Sequence, residues 1–214
     1  MQPARQNPVS PYQLCLRDGG DSELLGFVRQ QFARHHGAQI DSLMPWQCAL
    51  RDGKDQLVAS VGLRSAAAGP LFLEHYLSQP VEQQLALVLQ RPVARDEILE
   101  VGNLAAASGH ARLLFVAMAN YLSGERFRYV VFTATDRVQE IVTQLGLPAL
   151  FLAEAKAELV PVPDRWGNYY QRSPQVLAGE IRSGWEYLKG HPAMQPQLAW
   201  LPALPTSLPQ EVHG

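Results

Sequence analysis

Apolar residues recur along this chain with the spacing of helices in some stretches and as compact runs in others. The clearest helical spacing lies between residues 136 and 146, where apolar side chains fall at positions i, i+3, i+4 and i+7: Val138, Ile141, Val142 and Leu145. Asp136 begins this helix and Gly146 with Pro148 ends it. Similar spacing predicts a helix that is capped by Asp21 or Ser22 and ends at Gly37, and another over residues 81–89.

Compact apolar runs rich in β-branched and aromatic residues predict strands. Five such runs are Tyr12–Arg17, Trp46–Leu50, Gln56–Leu63, Tyr129–Ala134 and Gln175–Ile181, and residues 150–160 begin like a strand. The second and third are joined by Arg51–Asp55, whose Asp-Gly pair is typical of a hairpin turn. Residues 71–77 fit a helix or a strand equally well and stay unassigned.

The stretch from Glu97 to Glu125 organises the rest of the chain. It starts as an apolar run that holds Glu100 and Gly102, continues through the small residues 106–111, and becomes almost wholly apolar up to Leu122. We predict a buried strand, a tight turn, and a buried helix with Ser108 as its N-cap. Unpaired N–H groups and the helix dipole would then favour a phosphate at this turn.

Alternation of strands and helices after residue 97, preceded by a hairpin, predicts an α/β fold with a mixed central sheet and helices on both faces. The length of 214 residues fits one domain, which we place at residues 1–190. Five prolines between residues 191 and 214 predict an extended or mobile C-terminal tail.

The composition and charge of the chain exclude several classes of function. The chain has 47% hydrophobic and 18% charged residues and a net charge of -2, so we expect no nucleic-acid partner and no stable membrane insertion. The first twenty residues lack the apolar core of a secretion signal, and Cys15 and Cys48 fit buried free thiols, so we expect a cytoplasmic protein. The six histidines show no metal-ligand spacing, and we predict no metal site.

Glu100 is the residue best placed for proton transfer. A carboxylate in an apolar strand has a raised pKa and accepts a proton near neutral pH, but it also fits a structural ion pair with Arg95 or Arg112. Strand alternation separates Glu100 and Gly102 from Asn103 unless a bulge at the glycine redirects one of them.

Two further groups of residues are candidates for binding. The turn Ser108–Ala111 suits a phosphate, with His110 either touching it or simply exposed, and Thr133 lies at the end of a central strand. The aromatic cluster of residues 165–170 fits either a pocket or plain packing; in a pocket, Arg165 would bind a carboxylate and a tyrosine would act as an acid.

Four motifs occur in an order and spacing that resemble the bacterial thermostable hemolysin family. They are EHYL at residues 74–77, EVGNLA at 100–105, FTAT at 132–135 and WGNYY at 166–170. That family is similar to the GNAT acyltransferases and the acyl-homoserine lactone synthases. The resemblance implies a GNAT-like fold and an N-acyltransferase that transfers an acyl group from a thioester to the amine of a small metabolite such as an amino acid.

The resemblance also implies roles for individual residues. Glu100 is the expected base, with Asn103 as a catalytic neighbour and Tyr169 or Tyr170 as the acid. The donor is expected against a bulged strand and the next helix, at Val101, Gly102, Asn103, Ser108, Gly109, His110, Ala111 and Thr133. Substrate contacts are expected at Glu74, Tyr76, Arg165 and Trp166.

Gly109 and Ala111 match the end of the superfamily's phosphate turn, but Ala106 stands where glutamine or arginine is usual. Acyl-CoA and an acyl carrier protein with its phosphopantetheine therefore both remain possible co-substrates, with no tightly bound cofactor. The family name supplies the alternative of a membrane-active protein without acyltransferase activity. The sequence does not predict an oligomeric state.

Overall fold

The computed structural model describes residues 10–209, so the expectations for residues 1–9 and for the last five residues of the tail lie outside the described part. One seven-stranded sheet organises this part, in the order β1-β2-β3-β4-β5-β7-β6. The strands are β1 Gln13–Asp18, β2 Trp46–Arg51, β3 Leu57–Ser65, β4 Ile98–Ala106, β5 Tyr129–Ala134, β6 Leu150–Glu154 and β7 Gln175–Glu180. Only β4 and β5 run parallel; every other neighbouring pair is antiparallel.

Helices cover both faces of the sheet, as predicted. They are α1 Ser22–His36, α2 Val81–Leu89, α3 Ala111–Ser123, α4 Asp136–Gln144, α5 Ile181–Gly190 and α6 Gln195–Leu198. Buried residues of α1 and α2 pack with side chains such as Ala105 and Val131 on one face. On the other face, α3 packs with Leu99 and contacts α5. The prediction of an α/β fold with a mixed sheet is confirmed.

Local chemistry explains both ends of α1. The carboxylate of Asp21 accepts hydrogen bonds from the backbone N–H groups of Glu23 and Leu24, and Gly37 ends α1 in the left-handed region at φ 65°. The predicted start of α3 at Ser108 is wrong, because residues 108–110 form a turn and His110 is the N-cap. Residues 72–76, which the pattern left open, form a short 3₁₀ helix.

The chain after β7 differs most from expectation. The helix α5 was not predicted, and the expected extended tail is wrong for residues 192–198, which form a 3₁₀ turn and α6. Met194 and Leu208 are buried, and the hydroxyl of Tyr121 donates a hydrogen bond to the backbone oxygen of Thr206 at 2.9 Å. The segment therefore packs against α3 as far as residue 208.

Candidate active site

The site begins where β4 and β5 separate. The parallel pairing runs from Ile98 and Tyr129 to Val101 and Phe132, and β5 continues to Ala134 with β7 as its remaining partner. Backbone N–H groups of β4 that face β5 beyond Val101 are therefore no longer held by strand pairing. The separation opens a gap in the middle of the sheet.

A bulge in β4 lies at the same point. Gly62 of β3 pairs with Gly102 and Ser60 pairs with Ala105, so two residues of β4 oppose the single residue Val61. Asn103 sits in the bulge with φ 47°, in the left-handed region. Because asparagine tolerates this conformation better than most residues do, the sequence suits the distortion. The bulge that was considered at the glycine is present.

A cavity of about 550 Å³ passes through this gap and reaches both faces of the sheet. Its apolar limb lies on the face of α3 and α5 and is lined by Leu114, Met118, Leu122, Val130, Phe132 and Gly184. Its polar limb lies on the opposite face and is lined by Arg64, Tyr76, Glu100, Arg165, Trp166 and Tyr169. Alternation along β4 and β5 produces this division, because successive side chains point to opposite faces.

Glu100 lies in the polar limb with only 3% of its surface exposed. Its two carboxylate oxygens accept hydrogen bonds from the backbone N–H groups of Leu73, at 3.0 Å, and Phe72, at 3.3 Å. Burial raises the pKa of Glu100, although these two hydrogen bonds and the charge of Arg64 oppose the shift. A carboxylate in this position is a stronger base than an exposed one, which suits it to accept a proton.

The structural ion pair considered for Glu100 is not formed. Arg95 donates instead to Glu74 and Glu82, and no arginine between residues 10 and 209 lies within salt-bridge distance of Glu100. Arg112 also makes no contact with it; the Nε atom of Arg112 is buried without a hydrogen-bond partner in the described part of the chain. The alternative of neutralisation by Arg95 or Arg112 is therefore wrong.

Glu74 does not line the cavity, which contradicts its expected contact with substrate. Its carboxylate pairs with Arg95 and accepts hydrogen bonds from the backbone N–H groups of Leu71, at 2.7 Å, and Val81, at 2.9 Å. Burial alone would raise the pKa of Glu74, but Arg95 and these N–H groups lower it to about 2. Glu74 thus ties the 3₁₀ helix to α2. The 3₁₀ helix in turn supplies the backbone N–H groups that hold Glu100.

A loop that follows α1 forms the roof of the cavity, and we call residues 39–44 the roof loop. The side-chain oxygen of Asn103 accepts a hydrogen bond from the backbone N–H of Met44 at 2.9 Å. A Cβ atom on Gly102 would lie 2.4 Å from Cε of Met44, so a glycine is required for the methionine to lie this close. The side-chain oxygen of Asn103 therefore anchors the roof loop.

Arg165 lines the cavity as expected, but its guanidinium forms an ion pair with Asp41 of the roof loop. The backbone N–H of Gln39 also donates to the backbone oxygen of Arg165 at 2.7 Å. These contacts hold the roof loop to the aromatic cluster. The positive charge of Arg165 is therefore already paired.

The aromatic residues divide between the cavity and the core behind it. Tyr76, Trp166 and Tyr169 line the cavity, whereas Tyr170 lies behind them with its hydroxyl 2.8 Å from the hydroxyl of Tyr76. Tyr169 donates a long hydrogen bond, 3.5 Å, to the backbone oxygen of Thr133, which also lines the cavity. Burial raises the pKa of Tyr76, Tyr169 and Tyr170, so all three stay protonated at neutral pH.

The predicted phosphate turn lies at the N-terminus of α3, beside the cavity and not in its wall. None of Ser108, Gly109, His110 and Ala111 lines the cavity, but the backbone N–H of Leu114, which does, donates to the backbone oxygen of His110 at 3.0 Å. Gly109 has φ 86°, a conformation that favours glycine. Val101, Gly102, Asn103 and Thr133 are the expected donor contacts that lie in the cavity wall itself.

Arg64, His36 and Met44 are among the lining residues that the sequence did not reveal. Arg64 lies directly opposite Glu100 in the pairing of β3 with β4. The sequence predicts both strands, but which residues face each other depends on a register that no local pattern reveals. Met44 reaches the cavity through the path of the roof loop, which likewise has no repeating pattern, and His36 reaches it from the C-terminal end of α1.

Residues 10–209 contain neither a candidate membrane-spanning helix nor a candidate metal site. No helix there is both long and apolar enough to cross a membrane. In the same residues, no group of three or more His, Cys, Asp or Glu side chains is arranged to hold a metal ion.

Comparison with known proteins adds a family and a set of similar folds. The model of the family described as "Thermostable hemolysin" matches residues 17–185. No curated protein sequence matches significantly. Among solved structures, the CoA-dependent acyl-homoserine lactone synthase BjaI, determined with SAM and isopentyl-CoA, is 13% identical, with a TM-score of 0.57 over 94% of this chain and 95% of that one.

Two further structures share the fold. The acyl-homoserine lactone synthase LasI is 17% identical, with a TM-score of 0.53 over 79% of this chain and 89% of that one. FeeM, an N-acyl amino acid synthase from uncultured soil microbes, is 14% identical, with a TM-score of 0.54 over 86% and 98% of the two chains. The expected GNAT-like fold is therefore confirmed.

Proposed function

The chain belongs to the thermostable hemolysin family, and we propose that it is an N-acyltransferase. It would move an acyl group from a CoA or acyl-carrier-protein thioester to the amine of a small metabolite such as an amino acid. BjaI is a CoA-dependent synthase and FeeM is an N-acyl amino acid synthase, and their similar folds support this class of donor and product.

The observation that carries the proposal is the cavity that crosses the sheet at the gap between β4 and β5. An acyl chain would lie in the apolar limb, where Met118, Val130 and Phe132 exclude water. The acceptor would lie in the polar limb beside Glu100. The two limbs meet at Gly102, so the thioester carbonyl and the amine would be brought together there.

The reaction requires a free amine. Glu100 would remove a proton from the bound ammonium, directly or through a water molecule, and its raised pKa makes it a stronger base than an exposed carboxylate. The amine nitrogen would then attack the thioester carbonyl carbon. Backbone N–H groups near Gly102 and Asn103 would stabilise the resulting oxyanion, since strand pairing no longer holds those that face β5.

Collapse of the intermediate breaks the carbon–sulfur bond and releases a thiolate, which must gain a proton. Tyr169 is the best-placed donor because it is protonated and lines the cavity. Tyr170 would act only through Tyr76, whose hydroxyl it contacts. The second proton of the amine nitrogen leaves after the attack, to water or to Glu100 once Glu100 has passed the first proton to solvent. Tyr169 regains its proton from solvent, and the products are an amide and a thiol.

The turn Ser108–Ala111 would hold the phosphates of the donor at the N-terminus of α3. The donor would be a co-substrate and not a tightly bound cofactor. We propose that the protein acts in the cytoplasm, where CoA and carrier proteins supply thioesters.

The direct test is thiol release from a panel of acyl thioesters, on CoA and on a carrier protein, with each of a panel of amines. We expect Glu100→Gln to lower kcat/KM by roughly 100-fold or more, because general-base catalysis contributes about this much. Glu97→Gln is the matched control, since Glu97 precedes the same strand, accepts from the N–H of Ala94 and does not line the cavity. Equal rates for Glu100→Gln and wild type, with a donor that is turned over, would remove the base from the proposal.

Membrane lysis is a separate outcome. Pure protein added to dye-loaded liposomes without thioester or amine should release no dye. Rapid, dose-dependent release would favour the membrane-active alternative instead.

A further inference from the structure

The polar limb holds two opposite charges on neighbouring strands. Arg64 of β3 pairs directly with Glu100 of β4, and both residues line the cavity. Directly opposed residues of an antiparallel pair share one face of the sheet, with Cβ atoms about 5 Å apart. Arg64 and Glu100 therefore start from adjacent positions and reach into the same limb.

Arg64 differs from the other charged residues of the cavity wall because its side chain has no partner among residues 10–209. Asp41 and Arg165 pair with each other, and Glu180 pairs with Arg128. Glu100 is held by two backbone N–H groups. Within residues 10–209, the guanidinium of Arg64 makes neither a hydrogen bond nor an ion pair, and Glu100 itself lies beyond salt-bridge distance.

We infer that Arg64 binds the carboxylate of the acceptor, which is therefore an α-amino acid that presents its ammonium to Glu100 and its carboxylate to Arg64. The inference rests on the proposed acyl transfer to an amine. In an α-amino acid a single carbon separates the two charged groups, which matches a cation and an anion on adjacent strands. A guanidinium binds a planar carboxylate through two parallel N–H···O bonds.

The other cationic groups near the limb are poor competitors for this role. Arg165, which the sequence favoured as the carboxylate ligand, would have to leave Asp41 and release the roof loop. His36 lines the cavity, but burial and the nearby charges of His35 and Arg172 lower its pKa, so it is neutral at pH 7. Arg64 thus supplies the free positive charge of the limb.

The test uses matched acceptors that differ only by the carboxylate: tyrosine with tyramine, leucine with isoamylamine, and histidine with histamine. For the pair that the wild type acylates best, we expect kcat/KM for the amino acid to exceed that for its amine by roughly 100-fold. When the amine is bound, the guanidinium of Arg64 has no carboxylate to pair with. Arg64→Met should raise KM for the amino acid and abolish this preference. It should leave KM for the thioester unchanged.

Arg17→Met is the control for removal of an arginine, because Arg17 is exposed on the edge strand β1. Arg165→Met tests the competing assignment. Equal wild-type rates for an amino acid and its amine would overturn the inference. So would loss of the preference in Arg165→Met alone, or a rise in thioester KM in Arg64→Met, which would assign Arg64 to the donor.

A binding measurement separates this inference from the proposed reaction. Calorimetry with N-octanoyl-leucine and N-octanoyl-isoamylamine needs no turnover. The wild type should bind N-octanoyl-leucine roughly 100-fold more tightly than N-octanoyl-isoamylamine, and Arg64→Met should lack this difference. Tight, discriminating binding without turnover of any thioester would reject the acyltransferase and keep the carboxylate site. Turnover with equal affinities, or with no binding of either compound, would reject the carboxylate site and keep the enzyme.

Discussion

The side-chain oxygen of Asn103 lies 2.9 Å from the backbone nitrogen of Met44, so the bulge that opens the sheet also holds the roof loop in place. The bulge and the roof loop both depend on Asn103. Its positive φ belongs to the bulge, and its side chain does not pack in the hydrophobic core. Opening of the gap and closure of its roof are therefore linked through the conformation of β4.

Removing the side-chain oxygen of Asn103 should loosen the roof loop without closing the gap. Asn103→Gly keeps the left-handed conformation but loses the hydrogen bond, so we expect a loss of about 1 kcal/mol in the free energy of unfolding. The amide of Met44 should exchange with deuterium faster. Asn103→Asp keeps the oxygen and is the control; equal protection of Met44 in both variants would mean that the hydrogen bond is not what holds the loop.

The two paired glycines should respond differently to an added methyl group. A Cβ on Gly102 would meet the mobile end of Met44, whereas a Cβ on Gly62 would lie 2.6 Å from Nε2 of Gln47 and 2.9 Å from Cβ of Met44. We expect Gly62→Ala to destabilise the fold by about 1–3 kcal/mol and Gly102→Ala by less than about 1 kcal/mol.

For activity we expect the reverse order, with a larger effect of Gly102→Ala than of Gly62→Ala. The Gly102 methyl group would project into the cavity wall where the two limbs meet, so Gly102→Ala should lower kcat/KM in protein that is still fully folded. Urea unfolding and thiol-release rates measure the two effects. Full activity of Gly102→Ala would show that the reacting groups do not meet at this glycine.

The sequence revealed the elements whose signals are local. The helix at 136–144 has a regular apolar stripe and the hairpin at 51–55 has a turn pair, and both are present. The helix α5 was missed although Ile181, Trp185 and Leu188 fall at i, i+4 and i+7, because it follows β7 without a loop and its first residue was assigned to that strand. Glu100 and the bulge were found because an acidic residue and a glycine inside an apolar run are unusual by themselves.

Contacts between residues that lie far apart in the sequence have no such local signal. Glu74 belongs to a motif and was expected to contact substrate, but its partner Arg95 lies 21 residues away and comes beside it only in the folded chain. The free Arg64 and the paired Arg165 have the same chemistry in the sequence. Only the register of β3 with β4 and the course of the roof loop distinguish them.

Glu74 should prove structural when it is changed. Its pKa is lowered to about 2, so its contribution to stability is present above the usual value near 4.5 and is lost as the pH falls towards 2. We expect Glu74→Gln to reduce the free energy of unfolding at pH 7 by roughly 2 kcal/mol and the difference from wild type to shrink in acid. Denaturant unfolding at both pH values measures this, and a difference that is independent of pH would exclude the ion pair as its cause.

Glu100 should show the opposite dependence on pH. Its pKa is raised in the folded protein, so the fold binds a proton that the unfolded chain releases, and stability falls as the pH rises from 4.5 through the folded pKa. Glu100→Gln carries no charge to bury, so its stability relative to wild type should increase over this interval. Urea unfolding between about pH 5 and pH 8 measures the difference. A flat difference for Glu100→Gln would mean that the carboxylate is as well solvated in the cavity as in water, which would remove the physical reason for choosing it as the base.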